Sequence, residues 1–203
     1  MQLSEHLALP SEAALGHSCV PVVASDLRSS ANELDGSRLS PHFTLGEFTK
    51  SNYPEVYNIP SHVAIENMKR ICGWLEVLRK RYNDRNYSST PGPIPEQSSP
   101  TRSLSSEGGE YPIVINSGYR SPQLNKRVGG VNTSNHLTGC AVDIRCSGIE
   151  QAIEYAAILI AYARETQQDY DELFIEKNKY GRYWVHFAVR PKENRRKVAF
   201  LNG

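Results

Sequence analysis

The sequence predicts an α+β fold, in which helices pack on one face of a small, mostly antiparallel sheet with a C-terminal hairpin. Two long stretches, at 60–82 and 148–166, carry apolar residues at helical spacing. Short runs of β-branched and aromatic residues between and after them indicate strands. The last two runs flank a short turn containing glycine, which is typical of a hairpin. Helices and strands mixed in this order favour helices segregated to one face of the sheet.

Size and composition restrict the class of protein. The chain has 203 residues and a formal net charge of +1, with acidic and basic residues well mixed. One domain with tails is therefore expected, without a nucleic-acid-binding surface. No apolar run approaches the roughly 18–20 residues that a membrane span requires. Residues 1–25 begin without a basic cluster, so we expect no secretory signal and synthesis in the cytoplasm.

Changes in composition suggest the domain boundaries. Residues 1–38 are weakly periodic and are expected to form a weakly structured N-terminal tail. The structured domain is expected at 39–190. Within it, residues 84–110 are rich in Ser, Pro and Gly and have almost no apolar side chains to bury. Because burial could then not offset the entropy lost on ordering, we expect a flexible insert. Residues 191–203 are expected to form a C-terminal tail, with its charged part, 192–197, frayed.

Local signals support the individual elements. Thr44 with Glu47 three residues later has the spacing of a capping box, and Ser121-Pro122 is typical of a helix start. The four cysteines form no C-x-x-C pair, so neither a zinc ribbon nor a redox motif is indicated. Cys140 and Cys146 flank a predicted strand and could approach each other, but we expect buried free thiols. The predicted elements, in order, are a helix from Pro60-Ser61 to about Tyr82, strand 113–115, a helix from Ser121 to Val128, strand 140–145, a helix from about Gly148 to Thr166, and hairpin strands 172–176 and 183–189.

The stretch 134–143 contains the first candidate metal ligands. His136 and Asp143 are seven positions apart, which is too far for neighbours on one helix turn. The spacing suits a loop that enters a strand, with Gly139 permitting a backbone conformation that a Cβ would hinder. Imidazole nitrogen and carboxylate oxygen both bind Zn²⁺. An Asp among apolar residues is costly to bury unless it is paired or metal-bound, and a structural partner remains the alternative.

A third candidate ligand, His186, lies in a run of aromatic and β-branched residues that indicates a strand. A single His on such a strand is often a core residue with a hydrogen-bond partner. Two His and one Asp, however, form the open three-ligand set of a catalytic zinc site, with the fourth position left for water.

These motifs resemble those of the M15 family of zinc peptidases, which includes D-alanyl-D-alanine carboxypeptidases and phage endolysins. The resemblance covers about 39–190 apart from the insert, and it implies a Hedgehog/D-Ala-D-Ala peptidase-like fold. It further implies a Zn²⁺ cofactor held by His136, Asp143 and His186, and hydrolysis of peptidoglycan stem peptides by metal-activated water. The motifs are Ser40–Phe48, Ser117-Gly118-Tyr119-Arg120-Ser121, Ser134-x-His136-x-x-Gly139-x-Ala141-x-Asp143 and Trp184-Val185-His186.

The general base is not at the position where many family members carry it. An acidic residue often stands three positions before the last His, where this chain has Tyr183. Glu176 is the best substitute: with a three-residue loop ending at Gly181, it pairs with Trp184 and shares the face of His186. An exposed Glu at a strand end is the alternative for Glu176, and Glu172 is the fallback base.

Arg120, in the Gly-Tyr-Arg-Ser motif, is predicted to anchor a substrate carboxylate or the developing oxyanion, as the resemblance implies. A structural salt bridge is the other interpretation. The competing function for the whole chain is a non-catalytic zinc-containing cell-wall or virion module on the same fold. We expect a monomer, with the peptidoglycan stem peptide as its partner, acting on the cell wall after release from the cell.

Overall fold

The computed structural model describes residues 37–88 and 110–202. Nearly all of the predicted N-terminal tail, 1–38, and most of the predicted insert, 84–110, lie outside the described residues. Four α-helices are seen in the described parts: α1 (Leu45–Thr49), α2 (His62–Ser88), α3 (Pro122–Arg127) and α4 (Ile149–Thr166). A short 3-10 helix spans Asn135–Thr138. The strands are β1 (Ile115–Ser117), β2 (Ala141–Cys146), β3 (Glu172–Lys177), β4 (Tyr183–Ala188) and β5 (Lys197–Asn202).

The five strands form one sheet in the order β1-β2-β4-β3-β5. All neighbouring strands are antiparallel except β3 and β5, which are parallel. The predicted α+β fold with a mostly antiparallel sheet is thereby confirmed. No helix in the described stretches is long and apolar enough to cross a membrane.

The hydrophobic core lies between the sheet and the two long helices. Because side chains alternate along a strand, Val142 and Ile144 of β2 enter this core while Asp143 points to the opposite face. Trp74 of α2 contacts both layers: its ring lies 5.2 Å from that of Phe187 in β4 and 4.9 Å from that of Tyr162 in α4. One face of the sheet is thus packed on helices, and the other face is left for polar side chains.

The predicted helix starts have the expected chemistry. The Glu47 carboxylate accepts the backbone N–H of Thr44 at 2.7 Å, which completes the capping box of α1. The Ser121 hydroxyl accepts the N–H of Leu124 at 3.2 Å, with Pro122 as the first residue of α3. The described cysteines, Cys72, Cys140 and Cys146, are buried free thiols; Cys19 lies outside the described residues.

Helix α2 is longer than the sequence indicated. It continues past the predicted end at Tyr82 to Ser88 and so includes residues 84–88 of the predicted insert. Lys80 and Asp84, one turn apart on this segment, form an ion pair at 2.6 Å. The Asn83 amide also exchanges two hydrogen bonds with the backbone of Tyr111, which ties the two ends of the insert together.

The prediction of a frayed C-terminal segment after Pro191 was wrong. Residues 197–202 form β5, which pairs with β3. Glu172 lies opposite Lys197 at one end of this pairing, and Lys177 lies opposite Asn202 at the other. The charged residues before it are bound to the domain: the guanidinium of Arg195 donates to the fully buried Asp171 at 2.5 and 2.7 Å. The charges that suggested a solvated tail are therefore partners of a buried carboxylate.

Candidate metal centre

Two of the predicted ligands are cross-strand neighbours. Asp143 in the middle of β2 stands directly opposite His186 in the middle of β4. Both side chains lie on the sheet face away from the helices. Directly opposed residues on one face have Cβ atoms about 4.5–5.5 Å apart. The register alone therefore places a carboxylate beside an imidazole.

The third ligand reaches this face from the short 3-10 helix. The Ser134 hydroxyl accepts the backbone N–H of His136 at the start of this helix. Gly139 ends it with φ at +70°, in the left-handed region, and the chain then turns into β2. A Cβ at Gly139 would lie 2.5 Å from the carbonyl oxygen of Ala64 in α2. This position thus needs glycine for both its backbone conformation and its close packing on α2.

Substituting Gly139 by alanine is expected to destabilise the protein more than the matched substitution Gly181→Ala. Both glycines have positive φ, so each alanine meets backbone strain of about 1–2 kcal/mol. Only position 139 also meets a backbone atom; a Cβ at Gly181 has nothing within 4 Å. We expect about 1 kcal/mol or more of additional loss for Gly139→Ala in urea unfolding. Equal losses would contradict the close packing described.

The three side chains converge on a small volume. Asp143 Oδ1 lies 2.9 Å from His186 Nδ1 and 3.3 Å from His136 Nε2. One candidate ligand atom from each residue lies within 4.8 Å of the other two, and all three residues are buried. Two imidazole nitrogens and one carboxylate oxygen are a donor set that Zn²⁺ prefers. The residues therefore fit a metal ion of this type.

Each imidazole is oriented through its other nitrogen. Nδ1 of His136 lies 2.6 Å from the carbonyl oxygen of Gly118, so this nitrogen donates and leaves Nε2 as the candidate ligand atom. Nε2 of His186 lies 3.5 Å from Glu172 Oε2, while Nδ1 faces Asp143. The ring of Phe174 stacks on His186 at 5.6 Å with an interplanar angle of 16°.

The electrostatics of the cluster favour charged groups. Burial alone would raise the pKa of Asp143, but His136 and His186 outweigh it and hold this pKa well below its usual range. Burial would lower the pKa of His186, yet hydrogen bonds to Asp143 and Glu172 raise it to about 9. Metal binding would therefore displace a proton from His186, as expected for a histidine ligand.

The predicted hairpin register is confirmed. The loop is Lys179-Tyr180-Gly181, Gly181 has φ at +79°, and Glu176 pairs with Trp184. Glu176 consequently shares the sheet face of His186 and lines the same cleft. Burial, together with the negative charge of Asp143, raises the pKa of Glu176. A carboxyl group with a raised pKa beside a candidate metal site is a suitable general base.

Glu172, the fallback base, has a different environment. Its Oε1 accepts from Arg195 at 2.6 Å, and its Oε2 accepts from Asn135 at 2.9 Å. Hydrogen bonding to His186 is the main cause of the lowered pKa of Glu172. Both oxygens of Glu172 are therefore occupied by neighbouring groups, unlike a carboxylate poised to accept a proton.

Arg120 lies beside the candidate ligands. Its Nη2 donates to Asp143 Oδ2 at 2.7 Å, and its Nε donates to Ser117 Oγ at 2.9 Å. Its backbone N–H also donates to the carbonyl of His136. Arg120 thus forms a salt bridge, which is the alternative interpretation of this residue, and its binding to a substrate stays a prediction.

Sequence reasoning missed several groups that contact the site, among them Asn135 and Arg195. Asn135 precedes His136 within the motif but gave no signal of its own. Arg195 lies in the charged segment of the predicted tail, 24 positions from Asp171, the carboxylate that it binds. Only the tertiary fold brings Arg195 to the cleft.

The three candidate ligands line a cleft with a volume of about 670 Å³. This volume is within the range of about 300–1,000 Å³ that is usual for ligand-binding pockets. Residues 128–131, Trp184 and Leu201 contribute to its lining. The remaining lining residues are Arg120, Thr133, Ser134, Asn135, His136, Asp143, Glu172, Phe174, Glu176, His186, Arg190 and Arg195.

The α+β fold and the buried His/Asp/His cluster that lines a cleft together define a class of protein with a candidate catalytic metal site. A family model described as Peptidase M15 matches residues 90–180, somewhat less than half of the chain. This range includes His136, Asp143 and Glu176 and ends before His186. The match supports an M15 family peptidase and confirms the resemblance indicated by the motifs. A search of curated proteins found no match.

Proposed function

We propose that the chain is a zinc-dependent peptidase that hydrolyses peptidoglycan stem peptides, as a phage endolysin or a murein hydrolase. The observation that carries this proposal is the position of Asp143 between two histidines, with Glu176 on the same sheet face and lining the same cleft. The family match supports peptide hydrolysis. The stem-peptide substrate rests on the resemblance of the motifs to those of M15 enzymes.

His136, Asp143 and His186 would hold the metal. When bound, Zn²⁺ would polarise the scissile carbonyl and lower the pKa of a water molecule toward about 7. The protein supplies orientation: Gly118 holds the ring of His136, and Arg120 holds the second oxygen of Asp143.

Glu176 is proposed to act as general base and then as general acid. It would accept the proton of the attacking water and donate a proton to the leaving amine. Burial raises the pKa of Glu176, which makes its carboxylate a better proton acceptor for a reaction near neutral pH. Groups of this kind contribute typically 10²–10⁴-fold to rate.

Arg120 is proposed to contact the substrate as well as Asp143. Its Nε and Nη2 are engaged by Ser117 and Asp143, so Nη1 is the nitrogen assigned to the substrate carboxylate or to the developing oxyanion. A guanidinium in this position would stabilise negative charge in the transition state. The proposed setting is a monomer that is made in the cytoplasm and acts on the cell wall after release.

Digestion of purified cell walls tests the proposed function. We expect the protein to release new amino groups from the walls, a chelator to stop the release, and added Zn²⁺ to restore it. Mass spectrometry of the products would identify the bond and separate exopeptidase from endopeptidase action. Binding to the walls without any new amino group would instead support the non-catalytic module.

A further inference from the structure

A polar network connects the candidate metal centre to the segment between β4 and β5. The Glu172 carboxylate lies at its middle, with Oε2 3.5 Å from His186 Nε2 and 2.9 Å from Asn135 Nδ2. Its Oε1 accepts from Arg195 Nη2 at 2.6 Å. Glu172 thus faces the imidazole through Oε2, which Asn135 also binds, and is held by Arg195 through Oε1.

The same two donors also hold the neighbouring Asp171. Arg195 donates to both carboxylate oxygens of Asp171, and Asn135 Nδ2 donates to Oδ2 at 2.8 Å. Asp171 is completely buried and also pairs with Arg190 at 3.2 Å. The carboxylates of Asp171 and Glu172 balance the charges of the guanidinium groups of Arg190 and Arg195, so the network leaves no excess charge to bind a charged ligand. We call Arg195 and Asn135, the two residues that hold Glu172, the clamp.

The geometry points to Glu172 as a positioning residue for His186, with Arg195 and Asn135 fixing the Glu172 carboxylate. Glu172 would accept the Nε2–H of His186 and thereby keep Nδ1 directed at the metal. This inference rests on the proposed metal site. It makes the segment after β4 part of the metal centre, although none of the three ligands belongs to it.

The orientation of His186 needs such a partner. Phe174 stacks on the ring and fixes its plane, but stacking does not distinguish the ring from its flipped form. A flip about the Cβ–Cγ bond would exchange Nδ1 with a carbon and Nε2 with the other carbon. Only the flip state in the structure presents Nε2 to Glu172 and Nδ1 to Asp143. Carboxylates that hold a ligating histidine in this way typically contribute 10–100-fold to metal affinity.

Zinc affinity, measured by competition with a chromophoric chelator, tests the inference without reference to activity. We expect Glu172→Ala to weaken zinc binding by about 10–100-fold. Glu172→Gln keeps an acceptor for the Nε2–H but loses the bond from Arg195 to Oε1, so we expect it to weaken zinc binding less than Glu172→Ala does. The visible absorption spectrum of the Co²⁺ form reports the ligand geometry, so it should change more in Glu172→Ala than in Glu172→Gln.

Substitutions of Arg195 and Arg196 distinguish loss of the hydrogen bond to Glu172 from the general effect of removing a positive charge on zinc affinity. Arg195→Met removes a donor to Glu172, so we expect weaker zinc binding, in the same direction as Glu172→Ala. Arg196→Met removes the adjacent guanidinium, which pairs with the exposed Asp169, and is expected to leave zinc affinity unchanged. Thermal unfolding of each metal-free variant is recorded alongside, because Arg195 also stabilises Asp171.

Three results would decide against the inference. Wild-type zinc affinity in folded Glu172→Ala would overturn it and leave the proposed function standing. If Glu172→Ala does not fold, unchanged affinity in Arg195→Met would overturn it. A wild-type protein that binds no zinc would overturn both this inference and the proposed function.

Discussion

Replacing His136 by alanine is expected to remove the metal and abolish hydrolysis. The wild-type protein should contain about one zinc per chain, because three buried donor groups converge on one point. Without His136, only Asp143 and His186 remain in the described cluster, and two ligands do not form a stable zinc site. Metal analysis after purification without chelator measures the loss, and the cell-wall assay measures the effect on rate.

His62→Ala is the control for His136→Ala. His62 lies exposed at the start of α2, away from the cleft, so its removal should leave metal content and rate unchanged. Near-wild-type zinc in His136→Ala would exclude His136 as a ligand. A wild-type protein without zinc, and unable to take it up, would end the hydrolase interpretation.

Substituting Glu176 by glutamine is expected to lower the turnover rate by at least ~10²-fold while zinc content stays intact. Glutamine keeps the size and hydrogen-bonding ability of the side chain but cannot accept the proton of the attacking water. The loss should therefore appear in kcat, measured on a soluble stem peptide, at equal zinc occupancy.

Glu172→Gln is the matched comparison for Glu176→Gln. Both residues lie on the same face of β3, but Glu172 is occupied by Arg195 and Asn135. We expect much smaller losses for Glu172→Gln at equal zinc occupancy. Silencing by the Glu172 change alone would transfer the role of base to Glu172, and no effect from either change would place the base elsewhere.

The sequence was most informative where local chemistry determines geometry. Gly181 in a left-handed conformation sets the length of the hairpin loop, and this length determines that Glu176 faces the same side as His186. Alternation along β2 likewise separates Asp143 from the apolar residues on either side. These arguments need only neighbouring residues, which a sequence displays directly.

The sequence was least informative where distant segments meet. The parallel pairing of β5 with β3 involves no tight turn, so no local signal announces it. The salt bridge between Arg120 and Asp143 joins residues 23 positions apart, and neither residue type specifies the other. The charged residues at 192–197 could be solvated or could form ion pairs with the domain. The ion pair of Arg195 with the buried Asp171 is seen only in the folded structure.

The clamp on Glu172 has a consequence for the order in which the centre is assembled during biosynthesis. All three candidate ligands and Glu176 leave the ribosome before Arg195 and β5. A nascent chain that has emerged only to residue 190 would carry every ligand but lack both the guanidinium that holds Glu172 and the edge strand beside β3. Acquisition of a correctly oriented His186 would therefore be a late event in synthesis, after much of the helix-packed core can already form.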